Sequence, residues 1–399
     1  MINDVGLLVG HVRENAAVPE YPSEPINPED GNRNISVQQM NLMDADDYLC
    51  IDIRGKTAYQ HGHISGAICW NGNDEGFRRL PNDKKLIVYC MYGEKSSMLT
   101  DELIQSGFEA YNLSGGYREW LLCEFGELSE EEARRYDRQI ILPQVGSEGQ
   151  KKLKKASVLI VGAGGLGASA ALYLVGAGIG KIGIMDADVV TISNLQRQIV
   201  HNIKTEGMNK AESAKIALKK LNDQIEIKAY PYFLDSENIE AIVTGYDFIL
   251  DAVDNFETKF LINDACVLNQ KAFCHAGILQ FGGQVMTYVP GEFPCYRCIF
   301  EEVPSKGTVQ NCSEAGIIGA IAGIIGSIQA LEAIKYFLGA GELLVGKMLV
   351  FDGLSMKIRI VKFGKKNCNC RVCGKYKDIV NIKGNKDEYK RTVCYVEKV

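Results

Sequence analysis

Apolar positions along the chain follow two different periods, and their alternation sets out an α/β protein. Tyr48-Leu-Cys-Ile-Asp-Ile53, Lys85-Leu-Ile-Val-Tyr89 and Ser157-Val-Leu-Ile-Val161 are short, nearly continuous apolar runs. Their length and β-branched content are those of buried strands. Between and after them lie stretches of helical character such as Ser97 to Gln105. From Ile35 to about Cys123 this alternation predicts a small α/β domain of about a hundred residues. The acidic, helix-prone Leu128-Ser-Glu-Glu-Glu-Ala-Arg-Arg135 then bridges to a second α/β unit that opens with Ser157. Residues 1–34 hold four of the ten prolines and little periodicity, which predicts a flexible lead-in. The apolar run from Ile317 to Ala330 is slightly short for a membrane span, is interrupted by Ser327 and Gln329 and is flanked by charge. It predicts a buried core helix or a subunit-interface helix, not a membrane segment.

Length supports the division, since 399 residues are too many for one core. Composition is that of an ordinary globular chain, 46% apolar and 24% charged. With 44 basic and 50 acidic residues the net charge is −6, so no global field favours a nucleic-acid backbone and none is expected as a partner. The end of the chain runs the other way: Gly364 to Val399 carries ten Lys and Arg against four Asp and Glu. A basic tail over 375–399 is expected, either solvated or docked on an acidic partner. Thirteen cysteines, an odd number, come with no cationic and apolar leader at the start. That pattern suits reduced thiols in the cytoplasm, used for metal or sulfur chemistry, better than disulfide staples.

Leu86-Ile-Val-Tyr-Cys90-Met-Tyr-Gly93-Glu-Lys95-Ser96-Ser97 delivers a cysteine from a buried strand into a loop that leads into a helix. Backbone amides and the positive end of the helix dipole, aimed at the sulfur, would lower its pKa and stabilise a thiolate or persulfide. An isolated cysteine at a strand end is more often structural. Its companions are Asp52-Ile-Arg54, Gly62-His-Ile-Ser-Gly66-Ala67 and Leu113-Ser-Gly-Gly116-Tyr-Arg-Glu-Trp120. Together they resemble rhodanese-like sulfurtransferases, whose active loop reads Cys-x-x-Gly-x-Arg-Ser. The resemblance spans 35–123 and implies a persulfide on Cys90. Lys95 stands where that family usually has arginine.

A second glycine-rich turn, Val161-Gly162-Ala-Gly164-Gly165-Leu-Gly167, follows a strand, and Asp186 ends the next one. Such a turn lets amides approach phosphates while the acid accepts ribose hydroxyls, so the loop alone reads as an NAD-dependent dehydrogenase, with a purely structural tight turn as the alternative. The residues that follow favour ATP. Asn194, Arg197, Lys210 and the Asp251-Ala-Val-Asp254-Asn255 turn supply phosphate-binding cations and a carboxylate suited to Mg²⁺, and Arg138 lies upstream. In this order they resemble the ThiF/MoeB/HesA family of ubiquitin-activating-enzyme-like adenylyltransferases, over about Ser129 to Gly374. The resemblance implies a Rossmann-like domain over 135–374, with 124–134 as linker. Gly162, Gly164, Gly165 and Gly167 would hold phosphates, Asp186 the ribose, and Asn194, Arg197 and Lys210 the triphosphate. Asp254 would bind Mg²⁺, and Arg138 would reach the site of the partner in a homodimer.

Cys295-Tyr-Arg-Cys298 and Cys370-Arg-Val-Cys373 are two Cys-x-x-Cys knuckles far apart in sequence. They suit one tetrahedral Zn²⁺, with a redox role as the alternative and Cys368, two residues before Cys370, as a competing ligand; the resemblance favours Cys370 and Cys373 and implies a structural ion. Between them lies Cys312, which is structural or, as in the resembled family, a crossover-loop thiol that links to the activated protein. The combined resemblance implies ATP-dependent adenylylation of a small ubiquitin-like carrier ending in Gly-Gly, then sulfur transfer from Cys90 to give a thiocarboxylate. A cysteine desulfurase would load the sulfur. The alternative is an adenylyltransferase whose first domain is an inert binding module.

Overall fold

The computed structural model describes residues 33–70, 79–123, 128–291, 293–304 and 315–390. The chain divides into two units, Met1–Glu130 and Glu131–Val399, each around its own sheet. The first sheet contains β1 (Asn34–Ile35), β2 (Tyr48–Asp52), β3 (Ile68–Cys69), β4 (Lys85–Tyr89) and β5 (Ala110–Leu113), in the order β1-β5-β4-β2-β3. Every pairing in it is parallel. Parallel sheets are covered on both faces, and alternate residues of β4 enter different cores. Ile87 and Tyr89 join Cys50 and Leu113, whereas Leu86 and Val88 join Ile51 and Leu103. The helix after β4, α1 (Glu94–Gln105), starts three residues before the expected Ser97. Gly93, left-handed at φ 87°, lets the chain turn directly from loop into helix.

The second unit begins with α2 (Glu130–Ile140), and this helix takes up part of the stretch expected as a linker. Ala133, Tyr136 and Ile140, spaced at three and seven, form a buried stripe that binds the segment to the domain. There follow β6 (Ser157–Val161), α3 (Gly165–Gly176), β7 (Lys181–Met185), α4 (Lys210–Leu221), β8 (Glu226–Tyr230), β9 (Phe248–Asp251) and α5 (Phe256–Leu268). Then come β10 (Ala272–Leu279), β11 (Gly282–Tyr288), α6 (Gly319–Leu338), β12 (Lys347–Asp352) and β13 (Lys357–Lys362). The sheet order is β13-β12-β11-β10-β9-β6-β7-β8. Strands β8 to β10 in that order are parallel, and β10 to β13 continue as an antiparallel meander. The strand order reverses beside β6, and in such sheets a crevice opens there at the carboxyl ends.

The long apolar run forms α6, which meets the length and composition of a membrane-spanning helix. In the fold it is a core helix packed on α3, β10 and β11. Ser169 Oγ donates to Ala322 O at 3.0 Å, and buried Glu332 accepts from Thr287 Oγ1 at 2.6 Å and from the Leu344 amide at 2.7 Å.

The packing does not stop at Gly374. Ile379, Ile382 and Tyr389 are buried, and Tyr389 Oη donates to Asp264 Oδ2 at 2.8 Å. The stretch expected as a basic tail therefore belongs to this unit as far as Tyr389. Charge counting hid three apolar anchors interleaved among the lysines.

Candidate active sites and metal centre

Cys90 leaves the end of β4 at the floor of a tight loop and is 6% exposed. Its Sγ accepts from the Gly93 amide at 3.1 Å and faces Ser96 Oγ at 3.4 Å. Burial raises the thiol pKa. The Ser96 hydroxyl and the amides of Ser96, Tyr92 and Lys95 more than offset it, leaving the thiol below its ordinary value. Lys95 thus acts through its backbone amide, while its side chain is exposed. The loop rests on the turn after β5, where the Tyr117 amide donates to Cys90 O at 2.8 Å and the Arg118 amide to Met91 O at 3.0 Å. A Cβ on Gly116, at φ 62°, would come within 2.4 Å of Cys90 O, so only glycine fits there. Beneath, Arg54 forks onto Asp52 with its closest contact at 2.6 Å and stacks 3.5 Å over the Tyr117 ring.

In the second unit the crevice beside β6 is a cavity of about 880 Å³. It brings together Gly162, Gly164, Gly165, Asp186, Arg197, Lys210 and Asp254 from five separate stretches of chain. Gly167 lies behind it, and a Cβ there would sit 1.8 Å from Gly162 O, so this glycine is what lets α3 start against the turn. Asp186 accepts from the Ala163 amide at 2.8 Å and the Asp188 amide at 2.9 Å. Burial raises its pKa, an effect that Lys210 and these amides oppose without cancelling. Lys210 is itself paired with Asp188 at 3.0 Å. Asp254 presents an exposed carboxylate to the cavity.

Other expected residues stand elsewhere. The Asn194 side chain is absent from the cavity wall; its Oδ1 accepts from the Thr191 amide at 3.3 Å, and its carbonyl accepts the Arg197 amide at 3.1 Å. Its carbonyl thereby helps to hold Arg197 in place. The Arg138 side chain is 78% exposed on α2, 3.9 Å from Asp137, and does not reach the cavity of its own chain. Cys312 lies outside the described residues.

The cavity also borders a buried network of charged and polar side chains. Asp251, at the end of β9, is buried between Lys259 Nζ at 3.3 Å and His275 Nδ1 at 2.7 Å. Burial works against its charge, but Lys259 and His275 hold its pKa below the usual value. Lys259 also donates to Ala276 O at 2.8 Å. His275, depressed by burial and by Lys259, stays neutral, and its Nε2 has no hydrogen-bond partner. Gln198 Oε1, also in this wall, is likewise unpaired. The one available signal was a lysine set directly before the apolar Phe260-Leu-Ile262, where a charge needs a buried partner.

Cys295, Cys298, Cys370 and Cys373 converge, with all four sulfurs within 4.8 Å of one another. The closest pairs are 3.3, 3.7 and 3.9 Å. Two are buried and two half-buried, the arrangement of a closed site for one metal ion. Every described cysteine is a free thiol, and Cys368 is exposed outside this group.

A rhodanese-like domain model matches residues 37–123, and the ThiF family model matches 136–372, more than half of the chain. The chain belongs to the ThiF family. Membership decides between the two nucleotide readings of the glycine turn, against a dehydrogenase. A curated ThiF-type relative, the adenylyltransferase and sulfurtransferase MOCS3 of Drosophila ananassae, is 47% identical over 247 residues, 62% of this chain and 55% of that protein. The chain thus spans about half the length of the curated relatives it matches. Among solved structures, E. coli MccB with AMPCPP and selenomethionine MccA superposes with a TM-score of 0.55 at 23% identity, over 70% of this chain and 82% of that one. E. coli MccB with ATP gives 0.51 at 23% identity, over 63% and 75%. These likenesses establish the shared fold of the ThiF unit.

Proposed function

We propose that this chain adenylylates the C-terminal carboxylate of a small ubiquitin-like carrier ending in Gly-Gly and then replaces AMP with sulfur from Cys90. The supporting observation is the pairing, in one chain, of a cavity that unites the glycine turn with Asp186, Arg197, Lys210 and Asp254, and a thiol ringed by donors. In the cavity the amides of Gly164 and Gly165, at the start of α3, face the phosphates of ATP, and Asp186 holds the ribose. Arg197 and Lys210 neutralise the triphosphate as the carrier carboxylate attacks the α-phosphorus and pyrophosphate departs. The exposed Asp254 carboxylate fits a Mg²⁺ ligand, and the ion would add charge neutralisation at the leaving pyrophosphate. Arg138, exposed and not part of the wall of its own cavity, suits a homodimer in which it completes the partner's site.

The four sulfurs fit Zn²⁺. With bonds of about 2.3 Å a tetrahedron has edges of about 3.8 Å; three of the six sulfur pairs stand at 3.3, 3.7 and 3.9 Å and all six lie within 4.8 Å. That ion would be structural, since all four ligand positions are filled by the chain.

In the second step the terminal sulfur of a Cys90 persulfide attacks the acyl carbon, AMP leaves, and an acyl disulfide remains. An external thiol then attacks Cys90 Sγ; the thiocarboxylate is released and the mixed disulfide left on Cys90 is reduced by a second thiol. A desulfurase persulfide is the expected donor, in a reducing compartment such as the cytoplasm, where the free thiols would persist. The test is mass spectrometry of a Gly-Gly-ending carrier after incubation with ATP, Mg²⁺ and donor. Gain of one sulfur in place of oxygen with the wild type, and formation of acyl-adenylate alone with Cys90→Ala, is the expected result. Absence of any adenylate would sink the reading, and a thiocarboxylate formed equally by Cys90→Ala would make the first domain a binding module.

A further inference from the structure

His275 is 1% exposed, lies in the wall of the nucleotide cavity and carries the only ring nitrogen there without a partner among the described residues. Its neighbours set its chemistry. Asp251 is ionised beside Lys259, so the ring proton sits on Nδ1, which donates to Asp251 Oδ2 at 2.7 Å. Nε2 is then a lone-pair acceptor. Lys259 cannot satisfy it, because its ammonium is already committed to both oxygens of Asp251 and to Ala276 O. A buried acceptor left empty is costly, so a donor that arrives with the substrate would bind there with advantage.

The sheet says which donor. Val161, Asp251 and His275 lie in register on adjacent strands, and β10 is separated from β7 by β9 and β6. Three strand spacings of about 4.8 Å put β10 roughly 14 Å from β7. With the ribose at Asp186 and the phosphates on the turn after β6, the hydroxyls and the adenine amine of ATP lie on the far side. The triphosphate between carries only acceptors. Besides Lys259 and Tyr296, whose ring lies 4.5 Å from that of His275, this side of the wall includes Gly277, Gly282 and Gly283 of β10 and β11, positions without side chains that suit an extended main chain. An extended Gly-Gly tail offers no side-chain donor, only backbone N–H groups.

We infer that His275 Nε2 accepts the backbone N–H of the terminal glycine of the acyl substrate and so registers its carboxylate against the α-phosphate. This deepens the adenylylation reading and rests on it. The experiment is ATP–pyrophosphate exchange by the full chain with a synthetic peptide ending in Gly-Gly, and with the same peptide ending in N-methylglycine. His275→Ala should raise KM for the Gly-Gly peptide by about tenfold, the effect of one well-made hydrogen bond, and leave KM for ATP unchanged. His275→Gln, whose side-chain oxygen reaches near the place of Nε2, should recover most of that loss. N-methylation should cost the wild type about the same factor and cost His275→Ala little. Equal losses on N-methylation in both proteins, an unchanged peptide KM in both variants, or a rise in KM for ATP alone would overturn the inference while leaving adenylylation intact. No exchange by the wild type with this peptide or with a Gly-Gly-ending ubiquitin-fold protein would instead overturn the adenylylation reading.

Discussion

Ser96 Oγ lies 3.4 Å from the sulfur of Cys90 and 2.7 Å from Oδ1 of Asn112, so one hydroxyl proton serves two acceptors. Asn112 is fixed in turn by donating through Nδ2 to Asn34 Oδ1 at 2.9 Å. When the sulfur is a thiol the proton is best spent on Asn112; when it is a thiolate, the charge draws the proton to itself. Ser96→Ala should therefore shift the pH profile of Cys90 alkylation to higher pH and slow iodoacetamide labelling near neutrality by about tenfold, at the low end for a hydrogen bond to a charged group. The sign for stability follows. A thiol whose folded pKa is depressed stabilises the fold above its unfolded pKa, and that contribution is lost as pH falls through the folded value. The variant should lose more stability at alkaline than at mildly acidic pH, and an unchanged labelling profile would remove Ser96 from the account.

Asp254→Ala should reduce carrier-dependent ATP–pyrophosphate exchange by about a hundredfold or more, the usual scale for losing a group that neutralises charge in a transition state. Arg138→Ala should be similarly impaired, although its side chain does not line the cavity of its own chain. Mixing the two inactive proteins should restore part of the activity, because a mixed dimer has one site with both residues. Lack of recovery after proven subunit exchange would count against completion in trans.

Metal analysis of protein purified without chelator should find one zinc per chain. Cys373→Ser should release it and lower the melting temperature by several degrees, since coordination energy at such a site is folding energy. Retention of metal and of melting temperature in that variant would place the ion elsewhere.

A chain ended at Gly374 loses the Tyr389 bond to Asp264 and the burial of Ile379 and Ile382. Asp264 then keeps Arg297 but loses a partner while still buried. Denaturant unfolding should show a loss of about 3 kcal/mol or more relative to a chain ended at Lys390. Equal stability would restore the reading of this stretch as a solvated tail.

Strands with unbroken apolar runs, such as Ser157–Val161, were legible to the residue, because a parallel strand buried on both faces leaves no other interpretation. The glycine turns and the paired knuckles were legible too, since spacing within a short motif fixes which atoms meet. What stayed hidden depended on distant pairing. Nothing near Asn194 tells that its Oδ1 accepts from the Thr191 amide. His275 acquires its meaning only when β10 lies in register with Asp251, 24 residues earlier. The first turn of α1 was missed because a left-handed Gly93 starts a helix with no capping side chain to announce it.

Cys295 and Cys370 are 75 residues apart in the chain yet touch in the fold. An ion bound by the two knuckles would close the intervening polypeptide into a ring, and closing a loop of that length removes roughly 4 kcal/mol of freedom from the unfolded chain. The ring also changes what a broken backbone means. A protease that cuts once anywhere between the knuckles would leave two polypeptides that the ion still joins, so that they stay together even where the packing of α6 and β12 on the sheet is loosened.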